Sequence, residues 1–121
     1  IYYVKVQNAD MLVALTQFAY DEFGGPVKED GMIIADDFHV EEYDPNDSRL
    51  RLFPLSRVAL DVVGALIAVN VVALGVLTVL EPSLNPESVR RAVEDKIKKQ
   101  FLEKNLIAFD EGIKMGEDGG L

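Results

Sequence analysis

The sequence predicts an α/β fold, a three-layer domain with a mostly parallel sheet, a buried central helix and two helices at its C-terminal end. Three features point there. Two short apolar runs, residues 11–15 (MLVAL) and 32–35 (MIIA), flank a helical stretch and give the order strand, helix, strand. Residues 62–80 (VVGALIAVNVVALGVLTVL) carry no charge between Asp61 and Glu81. From Pro86 onward, apolar residues recur at helical spacing among Arg, Lys and Glu.

Residues 1–6 (IYYVKV) are β-branched and aromatic, with Lys5 between Val4 and Val6, and read as a half-exposed strand or extended lead-in. Asn8, Ala9 and Asp10 turn the chain into residues 11–15, whose unbroken apolar run suits a strand covered on both faces. Thr16 is placed to cap a helix reaching about Phe23, closed by Gly24, Gly25 and Pro26. A polar connection over 27–31 then leads to a strand at 32–35. Residues 36–42 alternate like an edge strand, 44–47 form a turn, and 49–53 (RLRLF) alternate again. This pattern fits either an antiparallel ribbon at the sheet's rim or a last core strand at 50–53.

Residues 54–63 can form a short helix capped by Ser56 and ended by Gly64. For residues 62–80, a membrane span competes with a buried helix, since about 20 apolar residues in a helix cross a hydrocarbon core. No Lys or Arg follows until Arg90, no Trp or Tyr flanks the stretch, and Asn70 interrupts it, so the buried helix is preferred. Along that helix Ala65, Ala68, Val72 and Gly75 make a thin face that admits another backbone, beside a bulkier stripe of Leu66, Asn70, Ala73 and Leu77. Glu81-Pro82 closes it. Asn85, Pro86 and Glu87 open the next helix as N-cap, first residue and first-turn acid. Its apolar face holds Val89, Ala92, Val93, Ile97 and Phe101, and continues past a bend near Lys99 over Leu102, Leu106, Phe109 and Ile113. Gly112 or Gly116 is expected to end this helix, giving one domain over 1–116 and a flexible tail at 117–121.

Composition narrows the function. At 121 residues the chain suits one core, and its net charge of −9 disfavours nucleic acid and an anionic membrane surface. The absence of Cys removes disulfides, thiolate nucleophiles and thiolate-ligated iron–sulfur clusters from this polypeptide. No basic region followed by an apolar run and a small-residue cleavage site is seen at the start, so cytoplasm is expected. Ile at position 1 suggests that a natural N-terminus lies upstream, although tag or propeptide removal would look the same.

Among candidate sites, alternation would place Asp37, His39 and Glu41 on one face, a workable geometry for a metal ion. Acids along an exposed edge, which discourage strand pairing, are the preferred account, and no metal site is assigned. His39, the sole histidine, has no nucleophile in an adjacent motif, so no catalytic residue is expected on this chain. Gly24-Gly25 lacks the spacing of a phosphate-binding loop. Asn70 in its apolar helix, and Asn105 between Lys104 and Leu106, are candidates to face a ligand or partner. An amide buried without a partner costs about 1–3 kcal/mol, so bonding to nearby backbone is the preferred role for Asn70. Thr16 and Asp36 are candidates because open α/β sheets bind ligands at the carboxyl ends of their strands.

Several stretches together resemble the gamma subunit, or equivalent domain, of 2-oxoacid:ferredoxin oxidoreductases, whose substrates include pyruvate, ketoisovalerate and 2-oxoglutarate. They are Ala9-Asp10-Met11-Leu12-Val13-Ala14-Leu15 leading into residues 17–20, Gly31-Met32-Ile33-Ile34, and Asn70-Val71-Val72-Ala73-Leu74-Gly75. Pro86-Glu87-Ser88 and Lys104-Asn105-Leu106 through Gly112 complete the series. The resemblance implies a Rossmann-like domain in a cytoplasmic hetero-oligomer that decarboxylates a 2-oxoacid, reduces ferredoxin and often forms an acyl-CoA. It also implies that other subunits bind thiamine diphosphate with Mg²⁺ and the iron–sulfur clusters, while the gamma part lies on the CoA side and meets ferredoxin only through those subunits. Members of the family usually open with a strand and a GxGGxG-type loop; this sequence has neither and corresponds to the later two-thirds of such a domain.

The expected function is therefore a noncatalytic gamma component that packs beside the catalytic subunits and helps shape the CoA site. The alternative is a stand-alone nucleotide- or small-ligand-binding α/β module with its site near Thr16 and Asp36.

Overall fold

The computed structural model describes residues 9–119. The strand expected at residues 1–6 lies outside them, as do residues 120 and 121. The chain falls into two compact units, the first ending at Phe53 and the second beginning at Pro54.

The first unit is a parallel three-stranded sheet in the order β1, β2, β3, formed by Ala9–Ala14, Val27–Asp36 and Leu50–Phe53. Between β1 and β2 runs helix α1, Gln17–Phe23, which completes the expected βαβ unit. Thr16 caps it as predicted, its hydroxyl accepting from the Ala19 N–H at 3.0 Å. Thr16→Ala should cost about 1 kcal/mol of stability, the usual cost of losing such a cap, measurable as a shift in urea midpoint at constant slope.

Two expectations for this unit fail. β2 begins at Val27, so the supposed polar connection is strand, and a register irregularity between Ala9 and Met11 absorbs the extra residues. Residues 37–39 form a turn, not an edge strand, and β3 pairs parallel to β2, which rules out the antiparallel ribbon in favour of the core strand. The turn wins because Asp36 satisfies it locally: its carbonyl accepts from the N–H groups of His39 and Val40. Ala14, Ala35 and Val40 are buried together, with Leu12, Ala19, Tyr20, Leu50 and Leu52 packed against them.

The second unit is helical. The short helix α2, Leu55–Val58, passes into a π-helical turn, Ala59–Val63, that Gly64 closes at φ +85°. Ser56, expected as the cap, lies buried inside α2, and Pro54 occupies the cap position. The uncharged stretch is not one rod. After Gly64 come a 3₁₀ turn, Leu66–Ala68, and then α3, Val69–Leu80. Ile67 on that turn is 86% exposed. Among the described residues no helix is long and apolar enough to cross a membrane.

Helix α4, Pro86–Lys96, has Asn85 as N-cap, accepting from the Ser88 N–H at 3.1 Å, and Pro86 in its first turn, as predicted. An extended step at Ile97 and Lys98 then leads to α5, Lys99–Asp118. Gly112 and Gly116 lie inside α5, contrary to expectation, and the helix takes in Glu117 and Asp118 from the expected tail before Gly119 ends it at φ +87°.

The thin face of α3 does admit another backbone. A Cβ on Gly75 would collide with the Phe109 carbonyl oxygen and stand 2.9 Å from the Gly112 Cα; one on Gly112 would collide with the Val72 carbonyl oxygen. Close contacts advance along both helices together, from Val72 against Gly112 to Val79 against Gly116, so α5 runs in the same direction as α3. Val72, Val76 and Phe109 are buried at this crossing.

Candidate functional site at the carboxyl edge of the sheet

All three strands run the same way, so the residues that follow them share one edge: Leu15-Thr16 after β1, Asp37 after β2 and Pro54 after β3. Asp36, the last residue of β2, is wholly buried. Its carboxylate accepts from the His39 ring Nδ1 at 2.9 Å and from the Phe38 N–H at 3.3 Å. The Asp37 N–H donates to the Phe53 carbonyl at 3.0 Å and ties this turn to the end of β3. Phe38, 58% exposed, meets the His39 ring edge-on at 4.9 Å, and the His39 side chain is 43% exposed.

A second tether comes from Gln17 at the start of α1. Its amide oxygen accepts from the N–H groups of Glu41 and Glu42, and its amide nitrogen donates to the Glu42 carbonyl at 2.7 Å and to Asp21. Thr16 and Asp36 therefore belong to segments that hydrogen bonds hold on one side of the sheet. Each also has a structural task, one as cap and the other as anchor of the turn. An Asp–His pair can fix an imidazole in one orientation and present it with an aromatic neighbour at the surface. The metal geometry expected for Asp37, His39 and Glu41 fails with the strand it required. Among the described residues no group of three or more His, Asp or Glu side chains could hold a metal ion.

The other two candidates lie in the second unit. Asn105 on α5 donates to the Phe101 carbonyl at 2.8 Å, the local bond of a structural amide. Asn70 is exposed in the first turn of α3, so the burial argument made for it from the sequence does not hold. Asn70→Ala should leave the stability of the isolated chain within about 0.5 kcal/mol, readable by thermal melting. The same unit has an open groove of about 680 Å³, lined by apolar residues including Val71, Leu74, Leu84, Val89 and Ile97. Ser88 and Lys96 also line it, and its other polar members, Asn85 and Ser83, are engaged locally, by the Ser88 N–H and by Glu81.

A family model described as pyruvate ferredoxin/flavodoxin oxidoreductase matches residues 1–115. The chain belongs to that family. Among its relatives, the 2-oxoglutarate synthase subunit KorC of Methanocaldococcus jannaschii is 34% identical over 94% of this chain and 62% of its own length. The like-named subunit of Methanothermobacter thermautotrophicus is 31% identical over 97% of this chain and 65% of its own. This oxidoreductase-family chain thus spans less than two thirds of these relatives. The gamma subunit of a keto/oxoacid ferredoxin oxidoreductase from Geobacter sulfurreducens superposes with a TM-score of 0.85 at 31% identity. That match covers 91% of this chain and 65% of the other. A 2-oxoglutarate:ferredoxin oxidoreductase from Magnetococcus marinus, solved with 2-oxoglutarate, coenzyme A and succinyl-CoA, shares the fold at a TM-score of 0.80 and 23% identity. Its match covers 96% of this chain and 21% of the other. The α/β class, the parallel sheet and the family resemblance read from the sequence all stand.

Sequence reasoning missed Gln17 and Arg49. The Arg49 guanidinium bonds both carboxylate oxygens of Asp47, at 2.9 and 2.8 Å, and donates to the carbonyls of Gly24 and Val27. The only trace of this in the sequence is a pair of polar side chains beside turn and strand boundaries.

Proposed function

We propose that this chain is a noncatalytic gamma component of a thiamine-diphosphate-dependent 2-oxoacid:ferredoxin oxidoreductase, packing beside the catalytic subunits in the cytoplasm. The observation that carries the reading is the 0.85 TM-score at 31% identity to the Geobacter gamma subunit. The names of the methanogen relatives favour 2-oxoglutarate as the 2-oxoacid. In such a complex, thiamine diphosphate with Mg²⁺ supplies the decarboxylation, the iron–sulfur clusters carry electrons and CoA accepts the acyl group. A chain without Cys cannot ligate a cluster through thiolates, and the donor sets among its described residues do not suit a metal ion. The reading assigns thiamine diphosphate, Mg²⁺ and the clusters to companion subunits, through which ferredoxin is met. The carboxyl edge near Thr16 and Asp36 is the part proposed to border the CoA site, while exposed Asn70 is proposed to face a partner subunit.

Affinity purification of the tagged chain from its native host tests this. Co-elution of thiamine-binding and iron–sulfur polypeptides, with 2-oxoacid-dependent ferredoxin reduction in the pool, is the expected result. A chain that elutes as a monomer and binds CoA or a nucleotide saturably by itself would replace this reading with the stand-alone module.

A further inference from the structure

We infer that the groove between α3 and α4 is a docking site for a short amphipathic helix with an acidic first turn, contributed by another polypeptide.

The floor of the groove is apolar. Val71 and Leu74, one turn apart on α3, line it together with Val89, Ala92 and Ile97 along α4. Val71, Leu74, Val89 and Ile97 are half-buried and Ala92 is exposed. From Ser88 to Lys96 the groove follows α4 for about 12 Å at the helical rise, long enough for the i, i+3 or i+4 and i+7 anchors of a helix laid into it.

Charge selects the occupant. Residues 90–104 hold six basic and three acidic side chains, a net +3 in a chain whose total is −9. Lys96 lines the groove, and Lys98 and Lys99 directly follow Ile97, which also lines it. All three lysines are exposed, and among the described residues none of them forms an ion pair. Lys96 ends α4, where a cation complements the helix dipole. The dipole cannot account for the other two. Lys98 is the N-cap of α5 and Lys99 its first residue, at the positive end of that helix and with no acid in its first turn. Both oppose the dipole and repel each other, and an acidic group from outside relieves both.

A helix carries acids best in its own first turn, so the occupant lies antiparallel to α4, with that turn against Lys96, Lys98 and Lys99 and its apolar stripe running back toward Ser88. A second copy of this chain does not supply such a helix. Among the described α-helices only α4 has an acid in its first turn, Glu87, and the apolar stripe of α4 is itself a wall of the groove.

Fluorescence anisotropy with a synthetic peptide tests the groove. The labelled peptide is a helix of about 16 residues, with glutamates in its first turn and leucines at i, i+3, i+4 and i+7. It should bind the 121-residue chain saturably. Affinity should fall about tenfold or more for Lys98→Glu/Lys99→Glu, which reverses the charge, and for Ala92→Trp, which fills the groove, with Lys114→Glu toward the other end of α5 unchanged. The same peptide with lysines in place of its glutamates leaves the chain unaltered and should bind the parent at least about tenfold more weakly. Equal affinity for the two peptides, or no saturable binding, would overturn the inference. So would saturable binding of decanoate without binding of the peptide, which would give the groove to a small amphipathic acid, or a dimer that Ala92→Trp converts to monomer, which would give it to a second copy. The measurement needs no companion subunit, cofactor or turnover, so it is decided separately from the proposed function.

Discussion

Gly112→Ala should destabilise the chain by about 3 kcal/mol, the upper part of the range for overpacking a close-packed core. Two opposing terms decide the sign. Alanine in a helix interior is favoured over glycine by about 1 kcal/mol, so at an open helical site the change would stabilise. At Gly112 the added Cβ meets main chain: it collides with the Val72 carbonyl oxygen and sits 2.9 Å from the Gly75 Cα. Neither can swing aside as the end of a side chain does, so α3 and α5 must separate and uncover Val72, Val76 and Phe109. Gly75→Ala should cost a similar amount, since its Cβ meets the Phe109 carbonyl oxygen and the Gly112 Cα. Gly116→Ala should cost less, because its nearest contact is the Val79 side chain at 2.8 Å. Once the helices have moved apart for one alanine, the second finds more room, so the double variant Gly75→Ala/Gly112→Ala should lose less than the sum of the single losses. Urea unfolding of the four variants measures all of this. Three single losses of equal size, or strict additivity of the pair, would refute the backbone-to-backbone crossing.

How much of this was legible in the sequence follows from how local each signal is. Thr16 and Asn85 could be placed because an N-cap is written within four residues, and the cap bonds reach only to Ala19 and Ser88. The parallel sheet could be placed because residues 11–15 and 32–35 are apolar on both faces. Gly112 and Gly116 were misread as stops because an interior glycine and a terminal one look alike until the opposing helix is known, and their reason lies about 40 residues away on α3. Asn70 was misread for the opposite cause. Its neighbours are all apolar, which suggests burial, but the helix starts at Val69 and Asn70 falls on the exposed side of its first turn. At the candidate site, position was legible and purpose was not. Thr16 and Asp36 do stand at strand ends, yet cap and turn bonds occupy them, while Gln17 works through backbone of Glu41 and Glu42 that no side-chain pattern encodes.

Arg49→Ala is expected to be about as damaging, near 3 kcal/mol, the lower end of what removing one partner of a buried ion pair costs. The lower end applies because the Arg49 side chain keeps 19% exposure and that of Asp47 10%. Alanine would leave the Asp47 carboxylate without its two-pronged partner and the carbonyls of Gly24 and Val27 without the donor that links the end of α1 to the start of β2. Lysine would restore the charge but not the fork, so Arg49→Lys should recover only part of the loss. Arg51→Ala, two residues along and exposed, should stay within about 0.5 kcal/mol. Acid provides the sharper test. Hydrogen bonds from Arg49 hold the Asp47 carboxyl below its ordinary value, against burial, which pushes it up. A carboxyl depressed on folding adds stability above its unfolded value, near 3.9, and loses it as pH falls through the folded one. With the guanidinium gone, only the N–H of residue 49 and the Tyr20 side chain still oppose burial, so the carboxyl titrates higher than in the parent chain. Acid unfolding of Arg49→Ala should therefore begin at a higher pH than in the parent chain, and the stability gap between the two should narrow as pH falls below the ordinary carboxyl range and the parent's depressed carboxyl is protonated in turn. A gap that stays constant from pH 7 to pH 2 would mean that Arg49 acts through packing of its stem, and that its charge on Asp47 contributes nothing to folding.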